Sequence, residues 1–566
     1  DAQESRGLGD VYKRQILIWL YIMLTCYIIG FAAVKAMAGS ADFKAGREIS
    51  YLYAGIGAVT VYAQIFSIFW KVGLVANLVL LFVCILCLIC FRKQYAKQLQ
   101  TLRLTITPGR ILPLAALFLL FAYGSSMGVI HYDTSLYHAQ SIRWIEEYGI
   151  VPGLGNLHSR LAYNSASFCL SALYSMAFLG GQSFHCVAGL LAFWLSVSCL
   201  KVFSRQRLKK PQLSDLVRLL EIYYLLNIFD EMVSPASDYF MVLLTFFLVI
   251  RWLELSEERE ESYLPYAMLC VLAVVIVSVK LSGALLLLFV WKPAWMLIRQ
   301  RKGKDILKFI VIGAGAFLPF LIRNVILSGW LLYPFTFIDL FSFDFKIPRG
   351  MAEYDAREIK VYGRGFTDVT EYGRPFASWF PEYFAKLDGI NKIFLILAVS
   401  GLLVWILLAL WALIKKKKEL KDPLFVAGIL NCCFLFWLFS APLIRYGCVF
   451  LWLAAVLPWG LLYLRISPQT DRFRLYFVMV CLLGAYKAGA FGRELLDTAT
   501  ARYLVFQKDY ENYETISYEL HGYTFYYPRE GDRTGYEDFP SSPAKAEDIF
   551  RGNTIEEGFR DVLHSK

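Results

Sequence analysis

Residues 111–150 read ILPLAALFLLFAYGSSMGVIHYDTSLYHAQSIRWIEEYGI, an apolar run that passes directly into a stretch dense in titratable groups. The first half is oily enough to open a membrane span, and the second puts charge beside the membrane. Three of the chain's six histidines, His131, His138 and His158, fall in the polar stretch 131–165, with Asp133, Arg143, Glu146, Glu147 and Arg160. A loop so enriched, in a chain otherwise compatible with lipid, is a site candidate and not a tether.

The same alternation runs along the whole sequence. Its 566 residues are 58% hydrophobic and 16% aromatic, with a mean hydropathy of +0.50, beyond what soluble domains carry. Apolar runs of roughly 17 to 22 residues begin near residues 16, 51, 72, 111, 184, 214, 237, 264, 281, 306, 392, 424, 446 and 474, each the length of a membrane helix. The expectation is an all-α polytopic membrane protein of about fourteen transmembrane helices. The net charge of +11 does not point to nucleic acid. Lys and Arg cluster in short connections, at Arg92, Lys93, Lys97, Arg103 and Arg110, at Lys201 through Lys210, at Arg299 through Lys308 and at Lys415 through Lys418, as cytoplasmic loops do.

All twelve cysteines lie in apolar segments, so no disulfide framework is expected. Cys84, Cys87 and Cys90 share a helical spacing, but they sit amid Leu and Ile without His or carboxylate, which reads as packing. Residues 1–15, DAQESRGLGDVYKRQ, differ in character from the rest of the chain and resemble translated sequencing-adapter read-through. The transmembrane domain is therefore read as 16–491 and the tail as 492–566.

The basic clusters all fall on the cytoplasmic face only if one apolar stretch does not cross. Residues 164–180 are that stretch: it opens with Asn164, Ser165 and Ser167, ends in Gly180 and Gly181, and is expected to lie along or dip into the outer surface. The loop 131–163, the connection 230–238, the loop 328–391 and the tail 492–566 are then expected on the outer face of the membrane.

Within the first of these loops, residues 134–148 are expected to form a helix. Tyr137, Trp144 and Tyr148 make one aromatic face in the headgroup layer, Arg143 and Glu147 turn away, and Gly149 ends the helix before Pro152. Asp133 stands just ahead of it, with two compatible readings: a helix N-cap, or a carboxylate that takes a proton from a bound hydroxyl. His138 and His158 read first as structural or interfacial, with His138 kept as a substrate contact. A zinc site from His131, Asp133 and His138 lacks the i, i+4 ligand pair, so no metal ligand is assigned. No nucleotide-binding or serine-hydrolase motif stands in a strand-to-helix context.

Other polar groups gather at outer helix ends. DEMVSPASDY (230–239) brings Asp230, Glu231 and Asp238 together around Ser234 and Pro235, as a capped turn or as part of a site. Lys280, Arg323 beside Asn324, and Arg445 beside Tyr446 each read as snorkelling cations, or together as the grip on a lipid phosphate. The loop 328–391, with Tyr333, Pro334 and Arg364, and the tail segment YYPREGDRTGYEDFPSSP mix polar and aromatic residues, as surfaces that pack over a site or stack on sugar rings do.

The layout resembles the GT-C superfamily of membrane glycosyltransferases, in which an acidic residue lies in the first large outer loop, ahead of a surface helix and many spans. Asp133 in HYDTSLYH matches that acid, although three spans precede the one leading into the loop where the superfamily has one. VPGLGNLHSRLAYNS, SPASD, RNVILSGWLLYP and RYG look similar to uncharacterised multispanning bacterial proteins of surface-polysaccharide systems, over most of residues 16–566. The resemblance implies a GT-C-like helical bundle with an outer juxtamembrane helix. It also implies transfer of a sugar from a polyprenyl-phosphate donor to a glycan or lipid acceptor, with Asp133 as general base. The substrate-binding candidates are His138, Asp230, Asp238, Lys280, Arg323, Arg445 and Tyr446; no cofactor is assigned, and a divalent cation stays an open option. The alternative is a transporter or flippase of lipid-linked oligosaccharide, which expects related halves and broken helices near mid-membrane. Here the polar groups concentrate at outer ends, with Glu221 among the few deeper ones.

Overall fold

The computed structural model describes residues 15–39, 48–105, 108–127, 130–180, 183–466, 470–496 and 510–561, so the adapter-like residues 1–14 lie outside the described residues. The chain opens with α1 (Gln15–Ala38), α2 (Glu48–Phe69), α3 (Leu74–Cys90), α4 (Arg92–Thr105) and α5 (Pro108–Gly124). A π turn, Thr134–His138, leads into α6 (Ala139–Glu147), followed by α7 (Ala166–Tyr174), α8 (Val187–Cys199), α9 (Leu213–Asn227), α10 (Ser237–Glu257) and α11 (Tyr263–Val279). A 3₁₀ stretch, Leu281–Val290, runs into α12 (Trp291–Arg299) and then α13 (Gly303–Ser328), α14 (Arg349–Gly363), α15 (Phe376–Lys386), α16 (Gly389–Ile414), α17 (Lys421–Ser440), α18 (Ile444–Ile466) and α19 (Thr470–Leu495).

A helix begins at or near every expected span start, but not all are of spanning length. Among the described residues nine helical stretches are long and apolar enough to cross a membrane, or ten if α3 and α4, bent by 83°, count as one. The chain is a multi-pass membrane protein. Helices α5, α8 and α11 are apolar but shorter, and α9, 15 residues long, reaches only about 22 Å against a hydrocarbon core of about 30 Å. Its inner face is also charged: Arg218 bonds Asp215 at 2.9 Å and pairs with Glu254, which Lys201 and Arg251 reach at 3.0 and 3.1 Å. Part of the basic cluster 201–210 thus closes a buried ion network. The stretch 164–180, expected not to cross, holds α7, nine residues long and wholly buried, about 14 Å against a hydrocarbon core of about 30 Å.

Helix α10 runs through the centre of the bundle, buried almost continuously from Asp238 to Leu255, which explains why it is apolar on every side. Helices α1 and α2 touch through backbone. A Cβ on Gly30 would fall 1.9 Å from the Tyr51 carbonyl oxygen and one on Gly55 1.8 Å from that of Cys26, so only glycine allows the approach.

The tail departs from an all-α description. β1 (Thr515–Leu520) pairs antiparallel with β2 (Tyr523–Pro528), across a turn in which His521 and Gly522 both have positive φ, the type I′ requirement. A lone hairpin is marginal in water; this one is held by docking. Phe525, Ile549, Phe550 and Phe559 share a buried cluster with Trp144, Val151, Leu154, Leu157, Leu161 and Leu327. The aromatic face of α6 consequently packs under the tail and not among lipid headgroups: Trp144 is buried, with Phe539 and Phe559 rings 4.8 and 6.0 Å away. Arg143 is likewise not turned away. It donates to the Tyr536 and Glu537 carbonyls at 2.6 and 2.7 Å.

Candidate functional site

Asp133 sits where the chain enters the π turn. The connection before α10 fixes the approach, because the His131 N–H donates to Ser234 Oγ at 2.7 Å. The N-cap reading of Asp133 does not hold. Its own backbone is already helical (φ −66, ψ −18) and its side chain makes no capping bond. The carboxylate instead accepts from Arg445 Nη2 at 2.6 Å, from the start of α18. The other terminal nitrogen of Arg445 lies 2.5 Å from His131 Nε2.

His131 is contested from two sides, since the Asp133 backbone N–H lies 3.1 Å from its Nδ1. Burial first, and Arg445 next, hold this imidazole below its ordinary pKa against the pull of Asp133 and Asp238. A neutral ring has one acceptor nitrogen, so Arg445 and the backbone N–H compete for it. For Asp133, burial pushes the carboxyl up, but Arg445, His138 and His131 together outweigh it and the net direction is down.

A second ion pair stands beside the first. Asp238, in the first turn of α10, pairs with Lys280, placed by the break between α11 and the 3₁₀ stretch, where Lys280 is extended (φ −154, ψ 126). Lys280 Nζ lies 4.4 Å from the centre of the Tyr446 ring and Arg445 Cζ 5.2 Å from the same centre. Tyr446 therefore links the two pairs. Asp133, Asp238, Lys280, Arg445 and Tyr446, all named from sequence, come together at one end of the bundle.

Of the other candidates His138 adjoins the cluster, its ring 6.3 Å from that of His131, and Arg323 and Asp230 fall elsewhere. His138 is buried beside Asp133, with Nδ1 3.2 Å from Thr134 Oγ1 and its ring 4.4 Å from Tyr137 and 5.4 Å from Phe168; burial drives its pKa down to about 3, so it stays neutral. His158 is driven to about 3 in the same way, with Arg160 adding to burial. Arg323 donates to Ser67 Oγ at 2.5 Å and Asn164 Oδ1 at 3.1 Å. It lines a cavity of about 20 Å³ with Ser141 and Ser165, room for one water. Asp230 is half-buried in its turn. Among the described residues neither Arg323 nor Asp230 joins an ion pair, and no trio of His, Cys, Asp or Glu is placed to hold a metal. The residues that sequence reasoning undervalued are His131, whose one local signal is its place two positions before Asp133, and Ser234, whose hydroxyl steers it.

Residues 15–452 match a protein family described as a domain of unknown function, DUF8201. The chain belongs to this family. The paired ion cluster lies within the DUF8201 region, and the hairpin docked over α6 lies beyond it. No curated protein and no solved structure matches the chain.

Proposed function

We propose that the protein is a membrane glycosyltransferase, which moves a sugar from a polyprenyl-phosphate donor to a glycan or lipid acceptor. The reading is carried by the meeting of two carboxylates and two cations around Tyr446, from helices far apart in the chain. In the step, the acceptor oxygen bonds to C1 of the sugar and the C1–O bond to phosphate breaks. The electron pair stays on the phosphate, and the acceptor's proton passes to Asp133. While Arg445 holds Asp133, the carboxylate is ionised but weakly basic. A donor phosphate competes for Arg445 and Lys280. Drawing Arg445 away leaves Asp133 more basic at the moment a hydroxyl is in place. Among the described residues each of these two acids is met by a cation, Arg445 or Lys280.

The isoprenoid tail would enter between spans while its head reaches water. On this reading the bundle is GT-C-like, with about fourteen crossings once the shorter helices are included. On this reading the site faces the extracytoplasmic side of a bacterial inner membrane, which the short basic connections support. The alternative, a flippase of lipid-linked oligosaccharide, would hold the same phosphate with the same cations and change no bond. Purified protein in liposomes with a polyprenyl-phosphoryl hexose separates the two. Acceptor-dependent release of polyprenyl phosphate is expected; movement of the intact lipid without release would replace the enzyme by the carrier.

A further inference from the structure

The loop 328–391 holds a cleft that the reaction above does not use. It has a volume of about 260 Å³ and is lined by Ser159, Gly350, Met351, Tyr354, Asp355 and Glu358. That lies near the lower edge of the roughly 300–1,000 Å³ typical of ligand clefts, the scale of a small ring and not of a lipid chain. Its floor is a carboxylate of fixed orientation: Asp355 is 3% exposed, and both its oxygens lie 2.7 Å from the Tyr163 hydroxyl. Its rim is apolar and open, with Tyr354 56% and Met351 46% exposed.

The cleft adjoins the ion cluster. Tyr137, one helical turn past Asp133, lies 5.8 Å from the Tyr163 ring, which lies 6.0 Å from Tyr333. Burial opposes the charge of Arg160, and Tyr163, Asp133, Tyr137 and Glu358 favour it, with a net upward direction. A sugar ring presents C–H groups on its faces and hydroxyl donors on its edge. An exposed aromatic ring suits the first, and an oriented carboxylate with lone pairs to spare suits the second.

We propose that this cleft binds a saccharide ring of the acceptor glycan, set back along the chain from the hydroxyl that reacts at Asp133. The word acceptor rests on the glycosyltransferase reading; the binding of a ring does not.

The test is saturation-transfer NMR on the full chain in nanodiscs, with glucose, galactose, mannose, N-acetylglucosamine and N-acetylgalactosamine as probes. At least one ring is expected to receive saturation, and Gly350→Trp to reduce it roughly fivefold or more. Gly350 lines the cleft, and a Cβ there meets no atom within 4 Å, so a side chain can start at this position without a backbone clash. No transfer to any of the five sugars, or transfer that survives Gly350→Trp, overturns the site. Polyprenyl-phosphoryl glucose is expected to leave the signal unchanged; displacement would assign the cleft to the donor and overturn the acceptor assignment. Asp133→Asn keeps ring binding while losing transfer. If the unaltered protein shows no acceptor-dependent transfer while the ring still binds in a Gly350-sensitive way, the glycosyltransferase reading has failed and the cleft has not; normal transfer by Asp133→Asn would overturn only the assignment of Asp133 as base.

Discussion

Arg445 Nη2 lies 2.6 Å from the Asp133 carboxylate although the two residues are 312 positions apart in the chain. The same guanidinium reaches His131, so one planar fork serves an acid and an imidazole at once. Lys carries the charge without the fork. Arg445→Lys is expected to keep the fold, read from its melting temperature, and to lower turnover by roughly 10- to 100-fold. Turnover within about twofold of the wild type would show that charge alone suffices.

The pH dependence of activity comes from the same pair. Arg445 helps hold the Asp133 carboxyl below its ordinary 3.8, so the base stays ionised at any pH above about 4. Arg445→Gln removes the largest influence that opposes burial, and the carboxyl rises. The acid limb of the rate–pH profile should move to higher pH, since activity requires the ionised form. An acid limb that stays in place would remove Asp133 as its source.

Lys280 is expected to act on the donor. Its ammonium pairs with Asp238 over the Tyr446 ring, where a phosphate can replace the carboxylate. Lys280→Ala should raise KM for a polyprenyl-phosphoryl hexose about tenfold, with kcat less affected, and Lys280→Arg should restore most of it. A fall in kcat at constant KM would move Lys280 from binding to the chemical step.

Glu146 ties the tail to pH. It accepts from Ser183 at 2.7 Å and from the Tyr536 hydroxyl at 3.0 Å. Burial lifts its pKa from 4.5 to about 7, against the lowering by Ser175, Ser183 and Tyr536 and with a small push from Glu147. His185, bonded to Ser183 and Tyr510, is pushed by burial to about 3 and stays neutral across this range. The folded value of Glu146 exceeds the unfolded one. Its stabilisation is therefore complete below about pH 4.5 and is lost as pH rises through about 7. Amides of Thr534 and Gly535, which donate to the Ser135 carbonyl, should be roughly tenfold better protected at pH 5.5 than at pH 8, after correction for intrinsic exchange. Glu146→Gln should erase the difference; a difference that persists would assign it to another group.

Gly447 lets α18 pass Trp437 closely beside the site. A Cβ there would stand 2.5 Å from Trp437 Cδ1, and that indole is held by a 2.9 Å bond to the Leu443 carbonyl. Gly447→Ala is expected to destabilise by about 1–3 kcal/mol and to lower activity by shifting Arg445 and Tyr446. Gly489→Ala, where a Cβ meets nothing within 4 Å, is the neutral control. Equal melting temperatures for the two variants would show that the contact relaxes at no cost.

Periodicity and hydropathy were sufficient to find the helices, because a run of apolar residues is a local property. They could not show how the helices meet. Hydropathy registers exclusion from water but does not separate lipid from protein, so the aromatic face of α6 read as membrane-facing when Phe539 and Phe559 of the tail cover it. The polar helix ends were legible as a set of cations and acids. That Arg445 and Lys280 meet Asp133 and Asp238 while Arg323 bonds Ser67 and Asn164 depends on long-range packing, which no local spacing records. Asp133 carried an N-cap signature and yet pairs with Arg445, since its backbone enters the helix one residue earlier than the pattern implied.

The most direct test of the account is Asp133→Asn in a host whose surface glycan depends on this protein, with membrane insertion checked in parallel. The variant keeps the shape of the side chain and removes the acceptor for a proton. The account predicts normal insertion with glycan output reduced roughly 10²–10⁴-fold; unchanged glycan from a normally inserted variant would contradict it.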